Sequence, residues 1–137
     1  MKKILIAYDG SRLAGKAALK AFAIARSFGS RVTILTVIPE LYLAELMETD
    51  RIRILDMLTK DAERSLRKIA AKAGDVPVKT VIRNGNPATE LLALADASKT
   101  DLIVTGSHGR HGAVKFLLGS VSAKVVDHAR CSVMVVK

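Results

Sequence analysis

Short runs of β-branched and other apolar residues alternate along the chain with longer stretches whose apolar residues recur every three or four positions. The short runs are typical of buried strands, and the longer spacing is typical of amphipathic helices. The five predicted strands are Lys3–Tyr8, Arg31–Ile38, Val76–Arg83, Asp101–Gly106 and Ser132–Lys137. The predicted helices cover residues 11–28, 50–73, 86–98 and 120–129.

Local signals set several of these boundaries. Ser11 is a suitable N-cap for the first helix, and Gly29 is expected to end it. Asn86 followed by Pro87 predicts an N-cap and the first helical residue of the third helix. A continuous helix over residues 40–73 would be about 50 Å long, too long for this domain, so we expect irregular structure over 40–49.

The helical periodicity also predicts which faces are buried. The apolar stripe of the first helix is expected at Leu13, Ala17, Ala21, Ile24 and Phe28. That of the second helix is expected at Leu55, Leu58, Ala62, Leu66, Ile69 and Ala73. In the last helix, Val121, Val125 and Ala129 share one face.

Strict alternation of strand and helix is typical of a parallel sheet with helices on both faces. We therefore predict an α/β fold, a single three-layer α/β/α domain over residues 1–137. At 50% hydrophobic and 26% charged residues, the composition excludes a disordered chain. Apolar runs are far shorter than a membrane span and no signal-peptide pattern is seen, so we expect no membrane partner. The lone Cys131 fits a reducing cytoplasm.

The chain carries a formal net charge of +9, which suits anionic partners such as nucleotides or nucleic acids. Aromatic residues make up 4% and tryptophan is absent, so there is little material for stacking on nucleic-acid bases. Binding of nucleic acid stays an alternative that the charge alone supports, since the sequence has no recognised reading helix or aromatic platform.

Two motifs related to nucleotide or phosphate chemistry each lack a residue that they require. The segment from Gly10 to Ala17 resembles G-x4-G-K after a strand, but Ala17 replaces the hydroxyl residue that would hold magnesium. Its intervening residues favour a helix. A phospho-acceptor receiver domain would share the alternation of elements but needs an aspartate where the third strand ends, and Arg83-Asn84 stands there.

The histidines and the cysteine form two pairs with metal-ligand spacing, His108 with His111 and His128 with Cys131. The first pair lies in a glycine-rich stretch and the second at a helix end. Neither has an evident supporting shell, so no metal site is predicted, and Cys131 is expected to pack as a small apolar residue.

A glycine-rich pattern follows the fourth predicted strand: Gly106, Gly109, nine further residues, then Gly119 and Ser120. Glycines let backbone N–H groups approach phosphate oxygens closely. Ser120 opens a helix, whose first N–H groups and dipole attract anions. His108, Arg110 and Lys115 add donors or positive charge, so the pattern predicts a phosphate cradle.

The spacing G-x2-G-x9-G-S resembles the ATP-binding signature of the universal stress protein family. The opening segment Ile4–Ser11 is similar to the family's first strand and aspartate, and Leu118–Val136 is similar to its closing helix and strand. The resemblance implies a Rossmann-like nucleotide-binding fold with strand order 3-2-1-4-5. It also implies ATP as ligand, with Mg²⁺ or Mn²⁺ held mainly by the phosphates.

The resemblance assigns roles to particular residues. Asp9 is expected near the ribose and Val37 near the adenine, and Ala7 matches a backbone contact position. The expected phosphate contacts are Gly106, His108, Gly109, Arg110, Gly119, Ser120, Val121 and Ser122. Two positions depart from the usual pattern: His108, where many relatives have arginine, and Ser132, where proline is usual.

These observations predict an ATP-binding regulatory protein. Asp9 is the only carboxylate at a strand end and the ribose engages it, so hydrolysis is expected to be absent or slow. The apolar last strand should lie at a sheet edge, and with the resemblance it implies a homodimer through residues 132–137. The alternative is an enzyme of the same broad fold that splits the α–β bond of ATP, but the pyrophosphate loop it needs after the first strand is missing.

Overall fold

Five parallel strands form one sheet in the computed structural model, which describes residues 1–40, 45–109 and 118–137. The strands are β1 (Lys3–Ala7), β2 (Arg31–Pro39), β3 (Val78–Gly85), β4 (Leu102–Gly106) and β5 (Ser132–Val136). The helices are α1 (Arg12–Phe28), α2 (Glu48–Ala70), α3 (Pro87–Ala97) and α4 (Ser120–His128), with a 3-10 turn at Ala71–Ala73. The strand order is β3-β2-β1-β4-β5, which confirms the predicted fold and order.

Two apolar clusters lie on opposite faces of the sheet. Ile4 and Ile6 belong to the cluster under α1 and α2, whereas Leu5 belongs to the cluster under α3 and α4. This division follows from the two-residue period of a strand, which sends successive side chains to opposite faces. Helices therefore cover both faces, as expected of a three-layer parallel sheet.

The predicted caps are confirmed. The Ser11 side chain accepts a hydrogen bond from the Ala14 amide at 3.2 Å, and Asn86 accepts one from Thr89 at 3.0 Å. Gly29 ends α1 in the left-handed conformation with φ of 65°, where a side chain would be strained. These interactions are local in sequence, which is why the sequence pattern identifies them.

The predicted apolar stripes are partly wrong. Phe28 is 63% exposed, and Phe22 is the aromatic residue that α1 buries, together with Ala14, Ala18 and Ala25. In α2 the buried residues begin only at Ala62, so Leu55 and Leu58 are half-buried. Five of the six buried residues of α1 are alanines, and the buried face is rotated from the predicted one.

Boundaries shift by a few residues. β3 begins at Val78 and ends at Gly85, two residues later than predicted at each end. α2 begins at Glu48, and part of the segment predicted to be irregular, residues 41–44, lies outside the described residues.

The segment that resembles a P-loop is helical. α1 begins at Arg12, so Gly15 and Lys16 lie within its first turns, and the Lys16 Nζ donates to the Lys137 backbone oxygen at 2.6 Å. The prediction against a P-loop is confirmed. Among the helices in the described ranges, none is long and apolar enough to cross a membrane.

Candidate functional site

The glycine-rich pattern lies where two central strands end. β1 and β4 are neighbours, with Ile6 paired to Val104, and they end at Ala7 and Gly106. From β1 the chain continues to β2 and β3 on one side of the sheet, and from β4 it continues to β5 on the other side. The direction in which strands are added therefore reverses between β1 and β4. Ligands of open α/β sheets bind at the carboxyl ends of the strands at this reversal.

Asp9 and Gly109 meet at this point. A Cβ added to Gly109 would lie 2.7 Å from Asp9 Oδ2, a distance that real contacts essentially never show. The other carboxylate oxygen, Oδ1, accepts a hydrogen bond from the Ser11 amide at 2.9 Å. Glycine at 109 therefore lets the chain after β4 pass directly beside a carboxylate oriented by the start of α1.

A second close approach joins the end of β4 to the start of α4. The carbonyl of Ser107 accepts hydrogen bonds from the Gly119 amide at 2.7 Å and from Ser122 Oγ at 2.9 Å. A Cβ at Gly119 would lie 3.2 Å from that carbonyl oxygen and 3.4 Å from the His108 Cα. The Ser107 amide donates to the Val136 carbonyl at 2.8 Å, which ties the junction to β5.

Ser107 was not singled out by sequence reasoning, yet its backbone organises the junction. It is 5% exposed and its partners Gly119, Ser122 and Val136 are distant in sequence. The signal in the sequence that could have identified Ser107 is that it is a small polar residue directly after a buried strand. Ser122, which was predicted to extend the cradle, is 2% exposed, and its hydroxyl donates a hydrogen bond to the Ser107 carbonyl.

His108 lies between these two contacts. Its Nδ1 is 3.1 Å from Ser107 Oγ, and its Nε2 is buried without a hydrogen-bond partner in the structure as described. A buried polar nitrogen without a partner costs about 1–3 kcal/mol. A ligand atom at this position would remove that cost.

The amino end of α4 completes the site. Gly119 is its N-cap and carries no side chain to cap the helix, and no acidic residue stands in the first turn. The first amides of a helix have no partner within the helix, so those contributed by Ser120 and Val121 are suited to an anion. Gly106 is packed tightly behind the cradle, since a Cβ there would lie 3.1 Å from Leu13 Cβ.

An apolar surface adjoins the polar groups. Ala7, Val37 and Val121 are all half-buried and pack against the apolar cluster under α3 and α4. Val37 was predicted at the carboxyl end of its strand, but β2 continues to Pro39. Arg110, another predicted contact, lies outside the described residues, as do His111 and Lys115.

The pair of His128 and Cys131 lies at the opposite end of α4 from this site. His128 ends α4, and its Nδ1 lies 3.0 Å from the Lys124 carbonyl. Burial raises the pKa of the Cys131 thiol, and the charges of Asp96 and Asp101 raise it further. Within residues 1–40, 45–109 and 118–137, no group of three or more His, Cys, Asp or Glu side chains is placed to hold a metal ion.

Known proteins resemble this chain over almost its whole length. The model of the universal stress protein family matches residues 1–137. Universal stress protein MJ0531 of Methanocaldococcus jannaschii is 35% identical over 99% of this chain and 82% of its own length. The solved structure of hypothetical protein MJ0577 has a TM-score of 0.90 at 31% identity, covering 99% of this chain and 95% of that one.

A third comparison concerns a structure described as a universal stress protein in complex with cAMP. It has a TM-score of 0.76 at 26% identity, covering 99% of this chain and 97% of its own. The sheet order and these similarities support the same assignment. The chain belongs to the universal stress protein family.

Proposed function

We propose that this protein binds ATP at the junction of β1, β4 and α4, and that it acts as a nucleotide-dependent regulator. The observation that carries the proposal is the close passage of Gly109 beside Asp9, where even a methyl group would collide with the carboxylate. Such a passage, next to the open amino end of α4, fits a backbone cradle for phosphate groups. The description of a relative as a cAMP complex supports an adenine nucleotide.

The ligand's parts fit different features of the site. The Asp9 carboxylate, next to the start of α1, is suited to accept hydrogen bonds from ribose hydroxyls. Val37 and Ala7 offer apolar surface and backbone groups to the adenine. The amides of Gly109, Ser120 and Val121 would hold the phosphates, while Gly106 and Gly119, whose amide is bonded to the Ser107 carbonyl, would let the chain pack closely around them.

His108 is proposed to contact the nucleotide through Nε2, because that nitrogen is buried without a partner in the described chain. The Ser122 hydroxyl would hold the cradle's shape through the Ser107 carbonyl instead of contacting the ligand directly. Mg²⁺ or Mn²⁺ would be bound mainly by the phosphate oxygens, which is the usual way proteins hold Mg²⁺ beside nucleotides.

The proposed activity is binding with absent or slow hydrolysis. Asp9 is the carboxylate that the fold brings to the cradle, and its hydrogen bond from Ser11 orients it as an acceptor. A group engaged in this way is poorly placed to activate water. The bound nucleotide would then act by biasing a surface that a partner protein or a second copy recognises.

We further propose a homodimer through β5. This strand ends the sheet order and pairs with β4 along one side, and no other strand among the described residues pairs with its outer side. In an antiparallel pair of copies centred on the strand, Met134 would face Met134 of the second copy. Met134→Lys would place like charges opposite each other and should produce monomers in sedimentation, whereas Leu19→Lys on the exposed face of α1 should not.

A nucleotide panel tests the proposed function. ATP, ADP, cAMP and GTP are titrated into nucleotide-free protein, and 2′-deoxy-ATP is compared on the wild type and on Asp9→Asn. We expect adenine nucleotides to bind and GTP to bind at least 10-fold more weakly. If Asp9 contacts the 2′-hydroxyl, 2′-deoxy-ATP and Asp9→Asn will each weaken binding, and their effects will not add. Equal binding of all nucleotides would contradict the adenine assignment.

A further inference from the structure

The edge of the sheet opposite the candidate site is rich in positive charge. All strands of a parallel sheet start at one edge, which we call the amino edge and define as residues 1–3, 29–31, 71–77, 98–101 and 129–131. These residues include six basic and two acidic side chains. The basic ones are Lys2, Lys3, Arg31, Lys72, Lys99 and Arg130, and the acidic ones are Asp75 and Asp101.

The cations follow one another across the sheet. Lys3 pairs with Arg31 at the start of β1 and β2, while Lys99 precedes β4 and Arg130 precedes β5. Three inter-strand spacings separate β2 from β5, so the row extends over about 15 Å. Lys2, Arg31, Lys99 and Arg130 are all exposed.

Both carboxylates of this edge already have partners. Asp101 accepts hydrogen bonds from the amides of Lys2 and Lys3 at 2.8 and 2.9 Å. Asp75 lies 3.9 Å from Arg26. In the part of the chain that the structure describes, none of the four exposed cations forms a salt bridge. Their charge is therefore available to an external anion.

Lys99 occupies a position that favours glycine. It is the one residue other than glycine with a positive φ, 53°, among the described residues. The Thr100 amide donates to the Ala95 carbonyl at 2.9 Å, so α3 ends in a Schellman-type turn, and Lys99 is the left-handed residue of that turn. This turn places the exposed Lys99 at the amino edge, at a position where glycine would be sterically easier.

Lys99 and Arg130 also flank a cleft of about 220 Å³, whose other lining residues are Ala95, Asp96, Thr100 and Cys131. The cleft lies between the end of α3 and the start of β5. Two cations at its sides suit a phosphate group, although Asp96 makes the cleft less positive than the rest of the row.

An exposed aromatic side chain stands beside the row. Phe28 is 63% exposed and comes three residues before Arg31, and Met1 is 47% exposed. Ser30 Oγ donates to the Met1 carbonyl at 2.8 Å, which keeps these two apolar side chains at the same end of the sheet. Apolar side chains next to a basic row are typical of proteins that lie on anionic membranes.

We propose that the amino edge docks on the surface of an anionic lipid bilayer. Phe28 would enter the headgroup region, and the Lys99–Arg130 cleft would take a lipid phosphate. Nucleic acid would also be attracted to the charge, but one aromatic side chain gives no row of stacking platforms. The amino edge is opposite the candidate nucleotide site, so this proposal does not depend on the proposed function.

Co-sedimentation with vesicles tests the proposal, using vesicles of phosphatidylcholine alone or with phosphatidylserine. The charge variant is Arg31→Glu with Lys99→Glu, and its control, Lys20→Glu with Lys124→Glu, changes the net charge equally at exposed positions elsewhere. We expect the wild type to bind the anionic vesicles, the charge variant to bind at least about 10-fold more weakly, and the control to stay within about threefold. Equal losses in both variants would show a net-charge effect and overturn the docking face.

Apolar and backbone variants complete the test. Phe28→Ala should weaken binding about fivefold, while Leu19→Ala, which removes another exposed apolar side chain of α1 (48% exposed), should not. Lys99→Gly should raise the Tm by about 3 °C, because glycine relieves the left-handed conformation, and yet weaken vesicle binding severalfold. No wild-type binding to phosphatidylserine vesicles, or preferential binding to an oligonucleotide in competition, would overturn the proposal.

Discussion

Replacement of Gly109 by alanine is the sharpest perturbation of the candidate site. The new Cβ would lie 2.7 Å from Asp9 Oδ2, and ordinary contact requires 3.4 Å, so the carboxylate must retreat by about 0.7 Å. If the carboxylate moves directly away from Ser11, the 2.9 Å hydrogen bond between the Ser11 amide and Asp9 Oδ1 lengthens to about 3.6 Å and is lost. An exposed hydrogen bond of this kind contributes about 1 kcal/mol, so we expect a Tm decrease of about 3 °C.

The nucleotide should respond more strongly than the fold. If Asp9 binds the ribose, its displacement removes a charged hydrogen bond of about 1.5–3 kcal/mol, which is a loss of about 10- to 100-fold in ATP affinity. Isothermal titration calorimetry measures the affinity and thermal unfolding measures the stability. The two readouts separate damage to the site from damage to the fold.

A double-mutant cycle identifies the cause. In the Asp9→Ala background the colliding oxygen is absent, so adding Gly109→Ala should then cost little stability, and the coupling should be about 1 kcal/mol. The reasoning would be refuted if Gly109→Ala cost the same stability with and without the carboxylate. It would also be refuted if the single variant bound ATP like the wild type.

Three further outcomes follow from the described residues. Hydrogen bonds from two backbone amides hold the pKa of Asp101 below its usual value. The ionised carboxylate therefore stabilises the fold fully above pH 3.8, and this stabilisation is lost as the pH falls through the lower pKa of the folded state. Asp101→Asn should destabilise the protein near pH 7, and in acid unfolding curves its stability should approach that of the wild type. Phe22→Ala should lower the free energy of unfolding by about 3–5 kcal/mol in urea titrations, whereas Phe28→Ala should change it by less than about 0.5 kcal/mol. Because burial raises the pKa of the Cys131 thiol, its alkylation by iodoacetamide at pH 8 should be slower than that of a small free thiol, and unfolding should remove the difference.

Local chemistry made much of the fold predictable. Ser11, Gly29 and Asn86 act on residues within five positions of themselves, so their roles follow from short segments. The buried face of α1 was harder to predict. Small alanines carry a weak hydrophobic signal, and Phe28 and Phe22 lie on different faces of the same helix.

The candidate site divides in the same way. The glycine spacing identified Gly109 and Gly119 because a close approach of the backbone leaves no room for a side chain, so it requires glycine. The roles of Ser107 and Ser122 depend on a hydrogen bond between residues 15 positions apart, which no sequence periodicity predicts. The basic row of the amino edge likewise forms only when strands distant in sequence lie side by side.

Titration of ATP with Mg²⁺ into folded wild-type protein, after removal of any nucleotide carried through purification, tests the central claim most directly. The account predicts saturable binding with one ATP per chain, at least 10-fold weaker in the Gly109→Ala, Ser120→Ala double variant. Absence of binding by the folded, nucleotide-free wild type would contradict it, and the glycines after β4 would then serve the turn into α4 alone.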